Sequence, residues 1–205
     1  MNNLRNLILL IFAISIVLLF ACKNAGNKTQ EEAVIVKTDT VNYAKLGKKY
    51  IMATGGVLSE NLIKAINTNG TESAIEFCNI KADMLTDSLA NSLGVSIKRL
   101  SDKPRNPKNE IGESEIDYFN LCKQNIEDGE ALKPKIQEFE NMIIGYYPII
   151  INDMCLKCHG LIDSNITTSV FEKINQLYPQ DKAVGYKPNE LRGIWVIEME
   201  KVEYK

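Results

Sequence analysis

Leu191-Arg192-Gly193-Ile194-Trp195-Val196-Ile197-Glu198-Met199 sets Ile194 and Val196 against Trp195, Ile197 and Met199 in alternation, so the segment from Leu191 to Val202 predicts a sheet strand. Upstream, Lys135 to Phe139 and Met142 to Ile151 are rich in β-branched and aromatic residues and predict two more strands, with Pro148 confining the second to an edge or an irregular course. Val95 to Leu100 alternates as well, and the two prolines of Ser101 to Asn109 keep that stretch a loop. Helical spacing governs the rest. Leu46 to Ile66 reads as one helix, with Gly55-Gly56 as a break point and Asn67-Thr68-Asn69-Gly70 as its stop. Ser73 and Glu76 form a capping-box pattern that opens a second helix, where Ile75, Cys78, Ala82, Leu85 and Leu89 recur at steps of three or four until Gly94. A third helix runs from Ser114 to about Glu127 with Ile116, Phe119, Cys122 and Ile126 on one side, and a short one spans Val170 to Leu177. Helices followed by strands interleaved with helices predict an α+β fold with a small antiparallel sheet.

The chain has 205 residues, enough for one ordinary domain with appendages, and 45% hydrophobic with 24% charged residues is a globular composition. A formal charge of -2 offers no basic excess to neutralise phosphates, so nucleic acid is not an expected partner. The single imidazole, His159, excludes any site built from two histidines of this chain. Five cysteines then require an account.

The N-terminus explains the first of them. Arg5 precedes an apolar stretch from Leu7 to Ala21, interrupted only by Ser15. At about 15 residues it is shorter than the ~20 of a stable membrane span, and it reads as the apolar core of a signal peptide. Leu19-Phe20-Ala21-Cys22 followed by a polar run resembles a bacterial lipoprotein lipobox, with the bulky Phe20 as a departure. The resemblance implies that Cys22 becomes the lipidated first residue of an extracytoplasmic protein, held on a bacterial membrane and facing the periplasm. A soluble secreted protein or a retained anchor are the alternatives. Expected domains are therefore residues 1–21 as signal peptide, 22–43 as tether and 44–205 as the folded body.

Cys155-Leu156-Lys157-Cys158-His159 carries the chemistry, because Cys-x-x-Cys-His is the attachment signature of c-type haem. Two thiols add across the porphyrin vinyl groups, and the adjacent imidazole reaches the iron. In a chain of this composition the pattern arises by chance with a probability on the order of 10⁻³. Attachment takes place outside the cytoplasm, in agreement with the leader. Rival readings are a thioredoxin-like redox pair, a local disulfide, or a zinc site drawing on Cys78, Cys122 or His159. With haem, His159 supplies one axial ligand, and the other falls to methionine (Met52, Met84, Met142, Met154 or Met199), cysteine, lysine, water or an open position. Cys78 and Cys122 read equally as buried small hydrophobes or as a disulfide pair.

Ala74-Ile75-Glu76-Phe77-Cys78, Gly94 with Val95 to Arg99, Pro104-Arg105-Asn106-Pro107-Lys108-Asn109, Tyr147-Pro148, the Cys155 to Gly160 motif, Tyr178 to Tyr186 and Leu191-Arg192-Gly193-Ile194-Trp195 occur in an order that resembles the Tll-type haem family. The resemblance covers Leu46 to Val202. It implies a PAS-like domain, α+β with a small antiparallel sheet flanked by helices, holding one covalent haem c with His/Cys axial ligation. Residue by residue it implies Cys78 as the ligand opposite His159, whereas Cys122 has no counterpart and stays a buried thiol. Arg99, Arg105 and Arg192 are the candidate cations for the haem propionates, and Asn106 and Tyr186 would fix the same loops. The expected function is membrane-anchored electron transfer or redox response through an unidentified redox or signalling protein, with no enzyme activity. A haem-based redox or diatomic-gas sensor acting through a partner protein is the alternative, and the lack of an expected output segment after Val202 weighs against it.

Overall fold

The computed structural model describes residues 41–202. The expected signal peptide, Cys22 and nearly all of the expected tether lie outside these residues. The order of elements is α1 (Tyr43–Leu93), β1 (Ser96–Leu100), a 3-10 turn (Pro107–Asn109), α2 (Glu113–Glu127), β2 (Lys135–Glu138), β3 (Met142–Ile150), α3 (Asp153–His159), α4 (Thr168–Leu177) and β4 (Leu191–Glu200). The strands form one antiparallel sheet in the order β1-β4-β3-β2, giving the expected α+β fold with a small sheet flanked by helices. Among the described residues no helix is long and apolar enough to cross a membrane.

Alternation in β4 builds two cores. Leu191, Ile194 and Val196 join Tyr146 of β3 and Tyr118, Phe119 and Cys122 of α2. Ile197 and Met199 join Ile97 of β1, Ile143 and Tyr147 of β3, and Ile51 and Ala90 of α1. The register sets Tyr146 opposite Val196 and Tyr147 opposite Trp195, so neighbours along a strand serve opposite faces. The sheet is thus covered by α1 on one face and α2 on the other. Burial of each such large apolar side chain contributes ~1.5–3 kcal/mol.

Three local expectations change. Gly55-Gly56 does not interrupt α1. A glycine costs a helix only about 1 kcal/mol relative to alanine, and burial of Ile51 and Thr54 in the turn just ahead outweighs it, with Gly55 lying over the Trp195 ring. The stop at Asn67 to Gly70 becomes a kink, because Gly70 alone leaves helical geometry at φ 85° and ψ 178° and the helix resumes beyond it. Ser73 therefore lies inside the helix, and no capping box forms with Glu76, which instead pairs with Lys173 of α4 at 2.7 Å. α1 ends where expected, at Gly94, whose left-handed φ of 67° lets its N–H reach Ala90 and Asn91.

Pro148 lies in β3, which is flanked by β4 and β2 rather than being an edge strand. The pairing with β2 ends at Tyr146, however, so from Tyr147 onward that side of β3 is open and the missing proline N–H breaks no ladder bond there. The irregularity expected from the proline appears as a register shift between Ile149 and Ile150.

Candidate functional site

The cysteine motif forms a helix of its own. Asn152 caps α3 by accepting from the Cys155 N–H at 3.1 Å, and the same Oδ1 accepts from the Cys155 thiol at 3.2 Å. Cys155 and Cys158 consequently lie one turn apart on one face. Leu156 turns inward beside Ile151 and Tyr186, while Lys157 is exposed. The helix closes at Gly160, whose N–H bonds the Leu156 carbonyl at 2.9 Å, and a Cβ at this position would come within 2.6 Å of Asn165. A segment ahead of β4 runs beside the helix end, with the Gly185 N–H on Gly160 O at 2.8 Å and the Tyr186 N–H on His159 O at 2.9 Å.

Cys78 is brought to this motif by lacing of the second half of α1 onto α4. Glu72 accepts from Ser169, Ile75 packs with Val170 and Ile174, Glu76 pairs with Lys173, and Asn79 donates to Leu177 O at 3.2 Å. Cys158 packs against the same apolar cluster as Ile75. Cys78 is close enough for its charge to bear on the Cys158 thiol and the Tyr178 hydroxyl. Cys78, Cys122, Cys155 and Cys158 are all free thiols. Cys122 belongs to the α2 core and Cys78 to the α4 side, which separates the expected Cys78–Cys122 pair.

His159 has a defined tautomer. Its Nδ1 lies 2.7 Å from Ala183 O, and because a carbonyl only accepts, Nδ1 carries the proton and Nε2 the lone pair. No hydrogen bond occupies Nε2 among the described residues. Burial by the surrounding protein holds its pKa well below the usual imidazole value, with the Arg105 and Arg192 charges adding to the effect. Burial likewise raises the Cys158 thiol to about 11 and pushes Cys78 upward; Arg105 opposes the shift at both thiols, and Arg99 does so at Cys78.

The three candidate arginines occupy different settings. Arg105 forms a buried pair with Asp181 and donates to Cys158 O at 2.6 Å and to Ala183 O at 3.3 Å. Arg99 reaches Asp83 of α1 at 3.2 Å and stacks 5.6 Å from the Trp195 ring centre. Arg192 has no carboxylate partner among the described residues; it donates to Ser101 Oγ at 2.8 Å and Lys103 O at 3.2 Å and lies 5.6 Å from the Tyr186 ring centre. Tyr186 stands edge-on to His159, and its buried hydroxyl makes no hydrogen bond, although Ser101 and Arg192 lie beside it. A cavity of about 190 Å³ opens between Asn79, Arg105, Asn106 and Tyr178. Asn106 itself caps the 3-10 turn through Lys108 N at 3.1 Å.

Three cysteine thiols, an imidazole with its outer nitrogen available and a half-buried guanidinium, Arg192, that makes no ion pair among the described residues form a donor set that suits a haem with its carboxylates. Haem iron takes one or two protein ligands and needs no closed cage of side chains. Among the described residues no three His, Cys, Asp or Glu side chains converge on one metal position, so the zinc alternative has no geometry behind it. Sequence reading missed Asp181 and Ala183 as partners of Arg105 and His159. The only local signal was an acid two residues ahead of a small residue, and the 76-residue separation of Arg105 from Asp181 hides the pairing.

No curated protein matches the chain. Among solved structures it is similar to the crystal structure of the cyanobacterial heme-protein Tll0287, at 21% identity and a TM-score of 0.56, over 80% of this chain and 100% of the other. The family model described as Tll0287-like (Tll0287) matches residues 23–199. The chain belongs to the Tll0287-like family.

Proposed function

We propose that the chain carries one haem c, attached through Cys155 and Cys158 and axially ligated by His159 and Cys78. The body would be extracytoplasmic, anchored to a bacterial membrane through lipidated Cys22, and would act in electron transfer or redox response without enzyme activity. Support comes from the cysteine motif, from the family membership and from the haem carried by the Tll0287 protein. The observation that carries the reading is the His159 tautomer: Ala183 O holds Nδ1–H and leaves Nε2 as a donor on the residue that follows Cys158, whose thiol lies near enough to Cys78 to be influenced by its charge.

Bound there, haem supplies a one-electron Fe(III)/Fe(II) couple. The Ala183 carbonyl fixes the imidazole plane and strengthens its donor nitrogen. Cys78 would supply an anionic sulfur on binding the iron, favouring the ferric state, with Arg99 and Arg105 partly opposing the burial that otherwise keeps the thiol protonated. Arg192 and the Tyr186 hydroxyl supply unmatched donors for a carboxylate. A sensor reading draws on one feature, the burial that opposes charge on Cys78, because such a ligand is readily released on reduction and opens the iron to a diatomic gas.

The test is the ferric visible spectrum of the full chain matured in a cytochrome-competent host, beside Cys78→Ala and Cys122→Ala. A spectrum altered only by Cys78→Ala is expected; three identical spectra reject Cys78 as ligand. Carbon monoxide titration of the reduced protein separates the two roles, with binding favouring the sensor and no binding the carrier.

A further inference from the structure

Arg105, in the loop after β1, and Asp181, ahead of β4, meet as an almost fully buried pair, with side chains 11% and 4% exposed. The contact is bidentate, Nε to Oδ1 at 3.1 Å and Nη2 to Oδ2 at 3.2 Å. The same Nη2 donates to Cys158 O at 2.6 Å and to Ala183 O at 3.3 Å. Asp181 Oδ1 also accepts from the Ala183 N–H at 2.9 Å, and Ala183 O accepts from His159 Nδ1–H at 2.7 Å. The hydrogen bonds leaving the buried ion pair thus end on the carbonyl next to His159 or on Ala183, whose carbonyl accepts from its ring, while the guanidinium also lies 5.9 Å from the Tyr178 ring centre. A buried pair is a poor source of stability compared with apolar packing of the same volume, so its geometry calls for another purpose.

We propose that the Arg105–Asp181 pair is a positioning device that aims His159 and sets the reduction potential of the iron through the shared Ala183 carbonyl. The proposal rests on the haem reading above. A carbonyl that already accepts from a guanidinium is a poorer acceptor for Nδ1–H, and a weaker Nδ1–H bond makes Nε2 a weaker donor to ferric iron. Asp181 limits the effect by neutralising Arg105. Removal of Arg105 then strengthens the His159 bond, leaves an anion nearby and stabilises Fe(III). Removal of the Asp181 charge leaves the cation uncompensated and stabilises Fe(II).

The experiment measures the midpoint potential of the holoprotein in four variants. Expected are a fall in Arg105→Gln, a rise in Asp181→Asn, a smaller fall in Arg105→Lys than in Arg105→Gln, and an intermediate value in the double variant Arg105→Gln/Asp181→Asn. Shifts of the same sign in Arg105→Gln and Asp181→Asn, or no shift in either, overturn the proposal. Hydrogen exchange in the full chain as purified provides a readout independent of haem. The Ala183 amide is expected to exchange at least tenfold faster in Asp181→Ala, which removes its acceptor, and unchanged exchange overturns the positioning role. A colourless wild type defeats the haem reading, and exchange then still judges the clamp.

Discussion

The two sides of the molecule bury cysteines for different ends. On the α2 face, Cys122 is 1% exposed among Tyr118, Phe119, Tyr146, Ile194 and Val196, with no cation among the causes of its raised pKa. On the α4 side, Cys78 is also desolvated, but Arg99 and Arg105 act on it and the Cys158 thiol, which precedes His159 in the chain, lies nearby. Burial alone leaves a thiol inert; burial beside cations and an oriented imidazole makes it a ligand candidate. The apolar side is satisfied by packing, and the polar side by a hydrogen-bonded network that converges on one ring.

The largest effect that would break this contrast lies on the polar side. Cys155→Ala combined with Cys158→Ala is expected to abolish covalent cofactor attachment, read by mass and by retention of colour after denaturation. On the apolar side, Phe119→Ala is expected to cost ~3–5 kcal/mol in denaturant unfolding while leaving the ferric spectrum of the folded protein unchanged. If that variant altered the axial ligation, the two sides would not be independent.

A pH profile sharpens the comparison. The His159 pKa in the fold lies below its unfolded value near 6.5. Where no iron occupies the ring, the unfolded chain therefore takes up the proton first. Stability is full above about pH 6.5 and falls as the pH drops towards 5, by at most about 1.4 kcal/mol per pH unit. Urea unfolding of the variant lacking both attachment thiols checks the slope, and His159→Gln in that background removes it. The smallest effect is that of Cys122→Ala, expected to cost on the order of 1 kcal/mol with no change in spectrum.

Periodicity carried most of the fold. β4 was legible because its alternation matches the division of Ile194 and Val196 from Ile197 and Met199 between two cores. The continuity of α1 was not, since a kink that only Gly70 can adopt and a full stop look alike in a string of polar residues. Glu76 looked like a cap because capping is a local pattern, whereas its partner Lys173 is distant in sequence. The site divides the same way. The Cys155, Cys158 and His159 spacing was readable, and the approach of Cys78 came from family resemblance. The Asp181 and Ala183 contacts depend on two loops crossing in space, which no local pattern records.

β4 is the last of the four strands in chain order, and it lies between β1 and β3. A polypeptide emerging from its N-terminus has no partner for β1, and no lining shared by both cores, until residues beyond 191 are available. Closure of the body is thus deferred until after Cys155 and Cys158 have been synthesised, so those sulfurs are exposed for an interval before folding encloses their surroundings.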